Sequence, residues 1–204
     1  IAAGAGDDTL DIRLVREFTN NLSETTTLTA TDLENIVVTN QIPGTTNFLL
    51  DLQSTTGEQV LTAVNGNANG KTVFGNVDTG TLIRMVDVKG TVGVDFKGDQ
   101  AAASDDAFTL EIENVGTVDQ PATFTLTQDG TEGQEEGFEI LSLAVGGSEG
   151  SYLNLEGLAL TDITLSGTQH VFLTDSQDLF EELNTLDAGG MTGGGVTINA
   201  FNPD

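Results

Sequence analysis

Cysteine and tryptophan are absent from this chain, and histidine, tyrosine and the basic residues are scarce: one His, one Tyr and six Lys plus Arg in 204 residues. Without cysteine there can be neither a disulfide framework nor a thiolate metal site. A single histidine, His170, gives zinc little to bind, so only hard cations that prefer oxygen find ligands. Six cations spread over positions 13 to 97 cannot neutralise a phosphate backbone, which excludes nucleic acid as the partner class. No run approaches the roughly 20 apolar residues of a membrane helix. No basic segment followed by an apolar stretch marks a secretory leader, and the opening at Ile1 without methionine reads as a processed product or a piece of a larger polypeptide. Nucleophile elbows, phosphate loops and His-Glu-x-x-His are missing too, and carboxylate pairs are too common here to signal glycoside hydrolysis. The expectation is a protein that is not an enzyme.

What the chain has is acid. Thirty-two Asp and Glu give a formal net charge of -26. Such a chain repels itself, so a compact state calls for salt, bound cations or an extended shape that spreads the charge. With 37% apolar residues a core is still available, and the apolar residues fall in short β-type runs that exclude an acidic disordered tail.

Those runs cover 33–39, 48–52, 59–64, 81–88, 91–96, 107–113, 122–127, 138–145, 152–155, 162–165, 170–173 and 196–201. Each is bounded by Gly, Asn, Asp or Ser, which supply turn chemistry. The class is all-β. Closely spaced strands with almost no Asn-Gly hairpin signal favour a parallel β-helix or solenoid, with a β-sandwich as the alternative. One short helix is expected at 176–183, where Leu179, Phe180 and Leu183 share a face, and a second near 10–18. The segment 105–129 reads as a hairpin around Asn114 to Pro121. Leu33-Glu34 through Leu61 echoes Phe138-Glu139 through Leu165, which predicts a degenerate duplication: a first β unit over 1–100 and a second over 101–204, with a seam at 98–106.

Gly4-Ala5-Gly6-Asp7-Asp8-Thr9-Leu10 fits the tail of the nonapeptide calcium repeat, in which glycines turn carbonyls inward and the aspartate supplies charge. Asp7, Asp8, Asp105 and Asp106, beside Gly or Ser at strand entrances, are the candidate metal ligands, where backbone carbonyls can complete an oxygen cage. The remaining acid runs, including 132–139, Asp175, Asp178, Glu181 and Glu182, read as a solvated face. His170 lies in an alternating strand and reads as a surface histidine.

The phrases Gly137-Phe138-Glu139-Ile140-Leu141, Leu160 to Gly167 and Leu183 to Gly194 resemble recurring phrases of large bacterial surface-layer (S-layer) proteins. These are the type-one-secreted, RTX-type calcium-binding proteins of the Caulobacter kind. The resemblance covers most of residues 28 to 201, although the full RTX array is missing. It implies a secreted, calcium-dependent, self-assembling protein of the cell exterior, with calcium as the cofactor, other copies of the chain as partners and cell-surface polysaccharide as a further one. Two other accounts stand beside it: an adhesin or ligand-binding module of a giant secreted protein, and halophilic adaptation, in which acidity answers the solvent.

Overall fold

The computed structural model describes residues 1–15, 23–42, 47–64, 69–97, 106–128, 138–157, 159–175, 180 and 183–200. It contains sixteen strands: β1 Thr9–Leu14, β2 Ser23–Ala30, β3 Asn35–Asn40, β4 Asn47–Thr55, β5 Val60–Val64, β6 Lys71–Val77, β7 Leu82–Val86, β8 Thr91–Phe96, β9 Ala107–Glu113, β10 Ala122–Gln128, β11 Ile140–Gly146, β12 Ser151–Glu156, β13 Asp162–Gly167, β14 Val171–Asp175, β15 Thr185–Met191 and β16 Val196–Ala200. Odd strands form one eight-stranded sheet in chain order and even strands form the other. Every pairing between named strands is parallel. The chain therefore winds as a two-sheet β-solenoid, each rung giving one strand to each sheet.

Period-two alternation decides which residues face inward. Asn35–Asn40 reads half-buried, buried, half-buried along its length, so Ile36 and Val38 enter the core while Asn35 and Val37 do not. The parallel register then stacks like on like: Leu10, Ile36, Leu61, Ile83, Leu110, Leu143 and Leu165 form one aliphatic column through seven rungs. From Ile36 to Leu165 every member is at most 1% exposed. Each contributes about 1.5–3 kcal/mol by leaving water. A slip of one residue would turn a whole column to solvent, so hydrophobicity fixes the register. Phe96, Phe108, Phe124 and Phe138 fill the middle rungs as a chain of ring contacts at 4.7, 5.5 and 5.8 Å. Two polar groups inside are satisfied: Asn40 donates to the Thr72 hydroxyl at 3.3 Å and accepts from Ile42 N–H at 3.2 Å, and Ser151 accepts from Val115 N–H at 3.1 Å.

The segment 105–129 is not a hairpin. β9 pairs with β7 and β11, β10 with β8 and β12, and the two lie in opposite sheets. The loop between them is an arch whose backbone stacks on its neighbours, Gly116 N–H donating to Val88 O at 2.7 Å and Tyr152 N–H to Val115 O at 2.7 Å. Glycine is required at 116: φ is +65°, and an added Cβ would stand 2.1 Å from the Tyr152 carbonyl oxygen. Nor is 10–14 helical. Leu10 and Leu14 have helical spacing, but Leu10, Ile12 and Leu14 alternate with polar residues and pair with β3. The expected helix at 176–183 lies outside the described residues except for Phe180 and Leu183. So does most of the seam at 98–106, across which β7 pairs with β9 and β8 with β10.

Candidate functional site

The entrances to the odd strands are stacked corners, and they collect acids. Asp8 precedes β1 and Glu34 precedes β3. Asp8 N–H donates to Glu34 Oε2 at 2.8 Å, while the Asp8 carbonyl accepts from Asn35 N–H at 3.0 Å and the Asn35 side-chain amide at 3.3 Å. The same station recurs before β9 and β11. Asp106 N–H donates to Glu139 Oε2 at 3.0 Å, and the Asp106 carbonyl accepts from Glu139 N–H at 3.1 Å and Ile140 N–H at 3.0 Å. Charge-assisted acceptance by each glutamate satisfies an amide at a corner where the ladder begins. Two of the four predicted metal ligands, Asp8 and Asp106, thus occupy equivalent positions, each held by a glutamate of the next rung that sequence reading did not assign. Its signal was the shared Glu34 and Glu139 of the two echoing phrases. Asp7 is exposed, and Asp105 lies outside the described residues.

Each corner brings together two carboxylates, whereas calcium takes six to eight oxygens. Asp8 Oδ2 is shielded from solvent without a hydrogen-bond partner, but Glu34 Oε2 and the Asp8 carbonyl are already committed to amides. Among the described residues no group of three or more His, Asp or Glu is placed to hold a metal ion. Among the described residues each corner thus supplies two carboxylates and no third.

No known family model matches the chain, and no curated protein or solved structure matches it significantly.

A second cluster, which the sequence reading missed, forms where three even strands end. Lys97 Nζ donates to Asp78 Oδ2 at 3.0 Å and to Thr55 O at 3.5 Å. Nearby, both Glu58 carboxyl oxygens are shielded from solvent with no hydrogen-bond partner. Burial pushes the Glu58 carboxyl above its ordinary value; the nearby Glu58 backbone N–H and then Lys97 pull it back, and Asp78 pushes it further up. Here an ammonium already occupies the place a free cation would take.

On the outer face of the even sheet, Tyr152 and Phe172 stack at 4.4 Å with their planes 2° apart, and His170 lies tilted over Phe172 at 4.4 Å. His170 Nε2 is 3.0 Å from the Thr197 hydroxyl. The facing surfaces of Tyr152 and Phe172 are thereby used up on each other instead of being free to stack on a sugar, and His170 sits in a surface ladder as a structural side chain.

Proposed function

We propose that this chain is a structural, non-enzymatic building block of an extracellular surface layer or filament on the cell exterior, self-assembling from copies of itself in calcium. The observation that carries this reading is the architecture: a parallel solenoid whose core is a set of stacked apolar columns and none of whose described acids is fully buried in that core. An elongated scaffold of repeated rungs separates charge along its length and offers extended surfaces for assembly. Calcium acts between copies, bridging exposed carboxylates such as Asp7 and offsetting subunit repulsion.

Dialysis against a chelator at fixed ionic strength tests the ion. Assembly, followed by light scattering, is expected to fall on chelation and to return with millimolar calcium but not with molar potassium. Unchanged assembly and melting temperature would remove calcium from the account, and full recovery in potassium alone would assign the acidity to halophilic adaptation.

A further inference from the structure

The two ends of the solenoid differ from every interior rung in one respect. Among the described residues, β1 and β15 each have a single neighbour in the odd sheet, at opposite edges. Inward-facing Leu10, Ile12 and Leu14 on β1 are only half-buried, whereas Ile36, Val38 and Asn40, their partners on β3, are 0% exposed. At the other end Ala188 and Met191 on β15 are half-buried, and Leu186 is 40% exposed. A free, partly apolar strand edge is a template for further pairing. Inside the chain each such edge is covered by the next rung, in parallel and in register.

We infer that β1 of one copy adds in parallel to β15 of a second copy, so that molecules join head to tail and continue the odd sheet; at the even sheet residues 1–3 already cover the end of β2 at 29–31. This inference rests on the self-assembly part of the proposed function and names the surfaces that carry it. Parallel polarity allows only that combination: the two free edges are complementary halves of the interface the chain already makes between its own rungs. The column beginning at Ile12 runs through Val38, Ala63, Met85, Ile112, Val145 and Gly167 to Met191. Its continuation sets Ile12 of the incoming copy on Met191.

Electrostatics agree with this direction. With Ile12 on Met191, an unbroken register sets Asp11 beside Gly190 and Thr9 beside Ala188, so the one acid within β1 meets no acid on β15. Asp8, at the corner before β1, comes opposite Asp187, a like-charge pair that a bridging calcium ion would offset. Charge along the rod is also uneven: residues 1–97 hold 12 acids and all six Lys and Arg, and residues 98–204 hold 20 acids and no cation. Head-to-tail contact keeps the two most acidic ends apart, and tail-to-tail contact would press them together. A heterologous contact of this kind does not close on itself and grows as a filament.

The test uses two variants, Ile12→Lys and Met191→Lys, each placing a charge at one end where the side chain is already half exposed. Analytical ultracentrifugation in calcium is expected to show concentration-dependent oligomers for the parent chain and monomers for either variant alone. An equimolar mixture is expected to give a heterodimer and nothing larger, because each variant retains the end the other lacks. Circular dichroism and a melt check that both are folded, with Ile12→Gln and Met191→Gln as milder replacements if one is not. Three results overturn the inference: dimers from a single variant, a mixture that stays monomeric, or a monomeric parent chain whose edges are then left to other rungs or other partners. Oligomers that both variants retain would mean lateral contact, ending the head-to-tail model and leaving the structural reading in place. A parent chain that is monomeric with and without calcium defeats both.

Discussion

The first 97 residues and the remainder hold their carboxylates in different ways. In the first part cations take a share: Arg13 meets Asp11 at 3.2 Å, Lys97 meets Asp78 at 3.0 Å, and Arg84 reaches forward to Glu111 on the next odd strand. In the second part neutral donors do the same work. Thr161 donates to Asp162 at 2.8 Å, the Asn154 amide to Glu156 at 2.9 Å, and Gly189 N–H to Asp187 at 2.8 Å. Hydrogen bonds from Thr185 and Thr161 lower the Asp162 pKa with no cation nearby in sequence. Three of these donors lie within two residues of the carboxylate they serve, and Thr185 comes from the adjacent rung. Beyond Glu111, which Arg84 pairs, this acidic stretch is held by local neutral donors, and salt acts there by screening.

The largest expected effect asks whether the two regions are separate at all. Phe74 and Phe124, one in each region, are 0% exposed, and truncation of either to alanine should cost about 3–5 kcal/mol. Because β7 pairs with β9 and β8 with β10, both variants should lower the midpoint of the same urea transition followed by circular dichroism. Two transitions, each moved by one variant only, would divide the chain into independent units.

A smaller effect concerns pH. Glu58 has a raised carboxyl pKa when folded, so the folded state holds its proton more tightly than the unfolded one. Its contribution is complete below the ordinary value of 4.5 and is lost as pH rises through the folded pKa. Glu58→Gln should therefore match the parent in acid and be the more stable at neutral pH. Asp162 has the opposite sign: its lowered pKa supports stability above 3.8, lost as pH falls through the folded value. Asp162→Asn should flatten the acid limb of the stability curve, and melts across pH distinguish the two. Smallest is the pair that joins the regions. Arg84 and Glu111 are 37% and 33% exposed, so Arg84→Gln should cost less than about 1 kcal/mol, and the cost should shrink as salt is raised.

Where strands were legible in the sequence, alternation was the reason. The runs at 91–96 and 107–113 match β8 and β9 residue for residue. β2 was overlooked because Ser-Glu-Thr-Thr-Thr carries almost no apolar residue; as a terminal strand it needs few. β6 was overlooked because Gly75 and Asn76 interrupt its pattern, Asn76 adopting φ of +57°. β15 was hidden by Gly189 and Gly190 at the point where its register with β13 shifts. Pairing partners were harder to read than strands: nothing within 105–129 announces that its two flanks belong to different sheets, because that choice is made by Val88 and Tyr152, distant in sequence. At the corners, Asp8 and Asp106 were picked out by their neighbouring Gly and Ser, but their role as amide donors to Glu34 and Glu139 depends on a rung that sequence proximity does not reveal.

The uniformly parallel ladders also determine how the molecule would bear force. Their hydrogen bonds run from rung to rung, along the direction in which rungs stack at about 4.8 Å per step. Tension on the two ends of the stack is therefore taken by every inter-strand bond of a rung at once, in both sheets. Tension along a single strand would instead shear or peel that strand from its neighbours. A solenoid loaded end to end behaves as a strut with many parallel fasteners at each joint, and it yields at the joint with the shortest or most irregular pairing.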